Sequence, residues 1–321
     1  MNKISEPGVY QVSIGDYHNV EICDAPSIGG SGLVMLAPPE PVPAKFWWNS
    51  TMNPQREPAD SAALRVGKCA HTLFLEGIDE VQKQFVIDDL PRTGEGSKKA
   101  LEAFKAKAEA EGKIIIRKNS TAAEIGWADI KAMVDAAAQY PLIRAAFSDG
   151  RAEPTLCWKD EETGVWCRAR PDWLPNDPTH FPEYKTARTA TQWGFSAAIS
   201  EYGYHVKAAH LMAGIRALGL GDPKTYTHYV QEKDAPYLMA IHTLPRETIE
   251  YGEVQRRAAL RIFANCLASG KWPGYPTGAQ ETGLPVYALN RLQRADLTGN
   301  PQQETTHEPS RFTAKDYAVA I

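Results

Sequence analysis

Asp172 and the run Glu183-Tyr184-Lys185 are the residues of this 321-residue chain best able to do chemistry together. An acid at the end of one expected strand is followed, eleven residues on, by Glu-x-Lys in the next. Phosphodiesters are anionic and resist attack. A catalyst must neutralise the phosphate, make hydroxide near neutral pH and stabilise the leaving oxygen. Magnesium held by carboxylates meets all three needs; it prefers oxygen ligands and keeps several waters. Asp172 and Glu183 are ligands of that kind. Strand side chains alternate, so Lys185 shares a face with Glu183, and its ammonium points at the same water or phosphate. The Tyr184 side chain points away, which leaves its backbone carbonyl free to ligate. The same charges also suit half-exposed strand surfaces, and the pattern alone does not separate the two readings.

Upstream, Gly67-x-x-x-His71-x-x-x-x-Glu76 offers further ligands on a helix. Gly67, His71 and Leu75 are spaced by four and share a face. His71 can ligate a metal as neutral imidazole or bond the metal's water; a core or boundary role fits it equally. Glu76 sits near the helix C-terminus, where the dipole disfavours a carboxylate, and a misplaced charge hints at function as an outer-shell partner. Tyr204 and Lys207 share a face of a later helix and suit either a phosphate contact or a plain surface. His180 and His205 lack the His/Cys spacing of a zinc site. The tryptophans Trp47, Trp48, Trp158, Trp166, Trp173 and Trp193 read as core and edge residues; stacking on DNA bases suits one or two of them, and the sequence assigns none.

These groups need elements to hold them. Asp60-Ser61 can cap a helix over 62–76, with Gly77 as its stop. Residues 98–111 are helical in composition. Thr121-x-x-Glu124 is a capping box for a helix ending before Pro141. Segments 154–159 and 165–170 flank a turn at 160–164 and read as a hairpin. Strands are expected at 181–186, 226–231 and 237–244, and long helices at 192–218 and 246–268. This order describes a mixed α/β domain, one central mixed sheet flanked by helices. Residues 1–60, rich in Gly, Pro and Ser, read as an irregular N-terminal extension packed on a core domain at 61–290. The polar residues 291–321 read as a flexible tail.

Bulk properties narrow the class. The chain is 43% hydrophobic and 23% charged, as a globular protein should be. No run of eighteen apolar residues exists, and Met1–Pro7 lacks an apolar signal core, so a cytoplasmic protein is expected. Five cysteines with no C-x-x-C pair point to reduced thiols, without zinc or an iron–sulfur cluster. The net charge of −4 excludes a protein that coats DNA, though not one that grips it locally. Residues 92–118 are locally basic and read as a solvated helix face.

Several stretches together resemble a known family. They are Gly67-x-x-x-His71-x-x-x-Leu75-Glu76, the run Gly164-Val165-Trp166-Cys167-Arg168-Ala169-Arg170-Pro171-Asp172, then Glu183-Tyr184-Lys185-Thr186 and Tyr204-His205-Val206. Asp16-Tyr17-His18, Ser27-x-x-x-Ser31-Gly32-Leu33, Ala132-Met133 ahead of Pro141, and Trp272-Pro273-Gly274-Tyr275 extend the likeness over about residues 8–276. The combination resembles the C-terminal nuclease of exodeoxyribonuclease VIII. That places the chain in the PD-(D/E)XK superfamily with RecB-type domains and lambda exonuclease. The resemblance implies a restriction-endonuclease-like core and a magnesium-dependent (or manganese-dependent) exonuclease. It implies digestion of linear duplex DNA from a 5′ end in phage-type recombination. It also implies a ring-like oligomer and a single-strand annealing partner. By position His71, Asp172 and Glu183 would bind metal, Lys185 would be the catalytic lysine, and Tyr204 falls in the last helix motif. The chain departs from the family at Lys207, where Gln is usual, and at Leu211, where Tyr is usual. A rival reading is a degenerate scaffold that binds DNA ends and recruits the annealing protein without turnover.

Overall fold

The computed structural model of the chain describes residues 3–57, 61–94, 96–121, 124–286 and 288–292. Two compact units divide between residues 273 and 274. In the second, the described residues are irregular chain and a helical turn in which Ala288 and Leu289 donate to the Pro285 carbonyl.

The first unit begins with short pieces: β1 (Gly8–Tyr10), α1 (Ile14–Tyr17), β2 (Ser27–Ile28), α2 (Gly30–Leu36) and α3 (Pro43–Asn49). A largely helical stretch follows, with α4 (Ala62–Leu75), α5 (Ile78–Gln84), β3 (Phe85–Asp88), α6 (Ser97–Ala110), β4 (Ile114–Arg117), α7 (Trp127–Ala137) and α8 (Pro141–Ala146). Strands β5 (Gly150–Ala152), β6 (Thr155–Lys159), β7 (Trp166–Ala169), β8 (Trp173–Pro175) and β9 (His180–Ala187) come next. Helices α9 (Gln192–Glu201) and α10 (Tyr204–Ala217), strands β10 (Thr225–Glu232) and β11 (Met239–Thr243), and α11 (Arg246–Ser269) complete it. The mixed α/β class is therefore as expected. No helix among the described residues is long and apolar enough to cross a membrane.

The sheet is divided rather than single. One part has the order β1-β6-β7-β2 and another β11-β10-β9; β3-β4 and β5-β8 pair separately. The β6–β7 hairpin is closed by Asp160, whose carboxylate accepts from the Thr163 backbone and hydroxyl, each at 2.9 Å. Strands β9 and β10 run parallel over their full length, so a crossover must join them, and α9 and α10 supply it. The N-terminal pieces take part in this architecture. Strands β1 and β2 border the hairpin, and Ile28, Leu33, Leu36 and Phe46 lie in the main core with Leu156, Phe181, Ile215 and Phe263. Each such side chain, fully buried, contributes about 1.5–3 kcal/mol.

Helix α4 starts where Ser61 accepts the Leu64 N–H; Asp60 lies outside the described residues. Its Val66, Cys69 and Ala70 build a second core with Phe85, Ile116, Ile130 and Met133. Spacing of three and four residues forces them onto one flank, which frees the flank with Gly67 and His71.

Two expected helix boundaries are corrected. The Thr121/Glu124 pair bridges its own backbone, and α7 starts later, with Gly126 as a cap that lends no side chain. The helix expected at 192–218 is two helices, broken at Gly203, which has φ +61° and ψ 36°. A Cβ on Gly203 would lie 2.5 Å from a Val34 methyl. Contact with α2, far away in sequence, sets the break. Gly203→Ala therefore combines left-handed strain with a clash, and should cost at least about 2 kcal/mol. An unchanged urea midpoint for that variant would contradict this account of the break. Gly252 has a comparable role: a Cβ there would sit 2.2 Å from the His205 carbonyl oxygen, so only glycine lets α11 cross α10 this closely. Of the tail expected from Arg291, residues 293–321 lie outside the described residues.

Candidate active site

The site forms where the start of β8, the middle of β9 and the flank of α4 meet. Parallel register sets Glu183 beside His228 and Lys185 beside Val230, so these four share a face. Asp172 follows Arg170-Pro171 and immediately precedes β8. Its carbonyl accepts the Glu153 N–H at 3.0 Å. Arg170 clamps this corner: Nε and Nη2 donate to Glu153 at 3.0 and 2.9 Å, and Nη1 donates to the Val12 carbonyl at 2.8 Å. Sequence reasoning weighed Arg170 as a surface charge and passed over Glu153. The guanidinium is instead 10% exposed, and its partner carries an unusual φ of +47°.

Lys185 Nζ lies 2.6 Å from Glu183 Oε1 and 3.6 Å from Asp172 Oδ2. His71 Nδ1 approaches the same Asp172 oxygen at 3.3 Å. His71, Asp172, Glu183 and Lys185 side chains are 15, 17, 13 and 20% exposed, so the charges are largely dehydrated yet reachable from solvent. The four expected site residues thus come together from three separate segments.

Dehydration and proximity set the charges. Burial pushes the Asp172 carboxyl up, but the Lys185 ammonium and His71 outweigh it and hold the group below the usual carboxylate range. Glu183 shifts the other way: burial and the Asp172 charge raise it, and Lys185 offsets only part. For Lys185, burial lowers the ammonium, and the two carboxylates overcome that and raise it, so it stays protonated. Two acids thus share one fixed cation.

The carboxylates keep capacity to spare. Glu183 Oε2 is buried and accepts no protein hydrogen bond, and Asp172 Oδ2, also buried, has only the longer approaches of His71 and Lys185, at 3.3 and 3.6 Å. Buried anionic oxygens without donors are costly. A hard divalent cation, which takes oxygen ligands, fits that vacancy in the bonding. Among the described residues no group of three His, Cys, Asp or Glu side chains is placed to hold a metal ion by itself. The ammonium of Lys185 is what the two carboxylates share.

The remaining expected residues fall around this centre. Tyr184 faces away, as alternation requires. Its hydroxyl donates to Gln231 Oε1 at 2.6 Å, and its ring lies 5.0 Å from His71 and 4.6 Å from Phe74. Gly67 faces Thr186 with room for a Cβ, so no close approach within the chain requires glycine there. Glu76 caps the end of α4. Burial, with the carboxylates of Glu153 and Glu80, pushes it up to about 7, and its Oε1 accepts no hydrogen bond. It adjoins the Glu153–Arg170 clamp rather than the Asp172 carboxylate itself. Tyr204 is 5% exposed. Lys207 Nζ lies 5.5 Å from its ring, and no carboxylate pairs with Lys207 among the described residues. Burial and the Lys185 charge lower Lys207 to about 8, so most of it is still charged at neutral pH.

Sequence reasoning missed His228, which backs the site. It is 2% exposed and packs 5.1 Å from Phe195 and 5.5 Å from Tyr204. Burial, then the Lys185 charge, pushes it down to about 3. On α10, His210, 1% exposed and packed on Trp158, donates from Nε2 to the Arg168 carbonyl at 3.0 Å, and burial also lowers it to about 3. Only the register of β10 on β9 reveals such neighbours. Both rings stay neutral in the fold, whereas the unfolded chain takes up protons near pH 6.5. Their stabilisation is therefore complete above about 6.5 and is lost as pH falls towards about 3. Two protons give a slope of about 2.7 kcal/mol per pH unit within that window. Urea unfolding at pH 7, 6 and 5 reads the net slope, to which His18, lowered to about 4, adds and from which Glu76, raised to about 7, subtracts; His210→Gln should lower it by about 1.4 kcal/mol per pH unit. A parental slope in that variant would reject the assignment.

Comparison with known proteins bears on the family and the fold. The model of a family described as "PDDEXK-like domain of unknown function (DUF3799)" matches residues 46–282. A crystal structure from Eubacterium rectale, named "Putative exonuclease", is similar with a TM-score of 0.53 and 13% identity, over 87% of this chain and 98% of that one. At that identity the likeness is one of fold. No curated protein matches the chain.

Proposed function

The chain belongs to the family of PDDEXK-like domains of unknown function (DUF3799), within the PD-(D/E)XK superfamily, and we propose that it is a metal-dependent exodeoxyribonuclease acting on linear duplex DNA. One observation carries this reading: two largely buried carboxylates, Asp172 and Glu183, share the ammonium of Lys185, with His71 beside Asp172, while Oε2 of Glu183 accepts no hydrogen bond.

Asp172, Glu183, His71 and the Tyr184 carbonyl are the groups that would hold magnesium, or manganese in its place. A divalent ion held there supplies Lewis-acid charge at the phosphate and acidifies the attacking water. Lys185 is held protonated by its two carboxylates, so it acts as a fixed charge and donor, not as a base. It orients the water and stabilises the charge that builds on the scissile phosphate. Lys207, supported on Tyr204, meets a neighbouring phosphate. Glu76 helps to hold the clamp that positions Asp172. The 5′-to-3′ polarity, the ring-like oligomer around the duplex, the annealing partner and the cytoplasmic setting come with the family resemblance and belong to the same reading.

The test uses end-labelled linear duplex DNA with magnesium, with and without EDTA, beside a closed circle of the same sequence. Release of nucleotides from the linear DNA alone, stopped by EDTA, is expected. Tight binding of ends without hydrolysis in magnesium or manganese would overturn the proposal in favour of a non-catalytic scaffold.

A further inference from the structure

Trp193 is 59% exposed and presents much of a large aromatic face to solvent. It stands in the first turn of α9, the helix that follows β9 and its site residues. The inner flank of α9 presses on the site. Phe195 is buried, with its ring 5.1 Å from that of His228, the register neighbour of Glu183, and 5.8 Å from that of Tyr204. Trp193 is two residues away on the helix, so it points out from the opposite flank. The outer strip of α9 holds Gln192, Trp193, Ser196 and Ser200, all exposed and none charged. The exposed Glu201 lies about two turns from Trp193, at the far end of α9. About 10 Å, one helix diameter, separates the two flanks.

The loop before α9 fixes this placement. The Ala190 N–H donates to Glu232 Oε1 at 2.8 Å, and the Ala190 carbonyl accepts from His242 Nε2 at 2.9 Å. The Thr191 hydroxyl accepts the Gly194 N–H at 3.3 Å and caps the helix. Both ends of the loop are thus tied to the sheet that carries the site. Trp48, exposed to a similar degree, does not qualify: it stands on α3, whose Phe46 packs into the main core against Phe263.

We propose that Trp193 is a stacking platform for a base of the unpaired strand, on the outer flank of the helix that backs the cleavage centre. The ligand class is a nucleobase in single-stranded DNA. Its location relative to cleavage rests on the nuclease reading; base binding does not. Any base has a π-face, so the platform is indifferent to sequence.

The experiment measures binding to the full chain in EDTA, where hydrolysis plays no part. The probes are a fluorescent oligothymidylate and an equally long oligomer of abasic sites. Trp193→Ala should weaken oligothymidylate binding about tenfold, the weight of one stacked base, and Trp193→Phe should restore most of it. The abasic oligomer should bind all three proteins alike. Equal oligothymidylate affinity in parent and Trp193→Ala overturns the proposal, as does equal loss on both probes or no binding by the parent. Loss of an oligomer in Trp193→Ala with unchanged oligothymidylate affinity also overturns it and assigns the side chain to a protein interface. The nuclease reading fails separately: a chain that hydrolyses nothing in magnesium yet shows this Trp193 dependence loses that reading and keeps the base site.

Discussion

Lys185→Ala should slow hydrolysis of linear duplex DNA at least about a thousandfold while duplex binding changes only a few-fold. The ammonium lies 2.6 and 3.6 Å from the two carboxylates, and among the described residues no other lysine lies so near either. Without it, two partly buried acids face each other with no fixed cation. One then takes up a proton, and the charge that should balance the reacting phosphate is gone. Lys185→Arg should not rescue the rate, because a planar guanidinium cannot occupy the position of a compact ammonium between two acids. Initial rates in magnesium, with fluorescence anisotropy in EDTA for binding, separate chemistry from affinity. A rate above one tenth of the parent's would remove Lys185 from the chemistry.

Asp172→Ala should abolish both cleavage and the stabilisation that divalent metal confers. A ligand bound only by the folded chain stabilises it by about 2.7 kcal/mol at a hundred times its dissociation constant. The parent should show a gain of that order when titrated with manganese, read as a rise in melting temperature. The variant loses the oxygen approached by both His71 and Lys185, at 3.3 and 3.6 Å, and should show almost none of the gain. In metal-free buffer the two proteins should differ little, because Lys185 keeps Glu183 as its partner. Equal manganese stabilisation of both would show that metal binds elsewhere.

Much of this centre was legible in the sequence because its logic is local. Strand alternation alone put Glu183 and Lys185 on one face and turned Tyr184 to the other, and helical spacing alone freed His71 from the buried flank of α4. Hairpin and helix boundaries followed from turn residues and caps. What was not legible depends on contacts between distant segments. Residues 192–218 carry a continuous helical signal, and only the approach of Val34 to Gly203 breaks it. Thr121 and Glu124 have the chemistry of a capping box, yet they bond to each other ahead of the helix. Arg170 looked like a surface charge because nothing nearby in sequence marks Glu153 as its partner. Glu76 was rightly read as a misplaced carboxylate, but its neighbours are Glu153 and Glu80 rather than the Asp172 carboxyl. His228 was invisible until the pairing of β9 with β10 was known.

Helix α4 serves two masters. One flank completes the smaller core with Phe85, Ile116 and Ile130; the other delivers His71 to Asp172. A partial opening that frees the smaller core must therefore withdraw the imidazole in the same motion, so activity and the integrity of that lobe rise and fall as one cooperative unit.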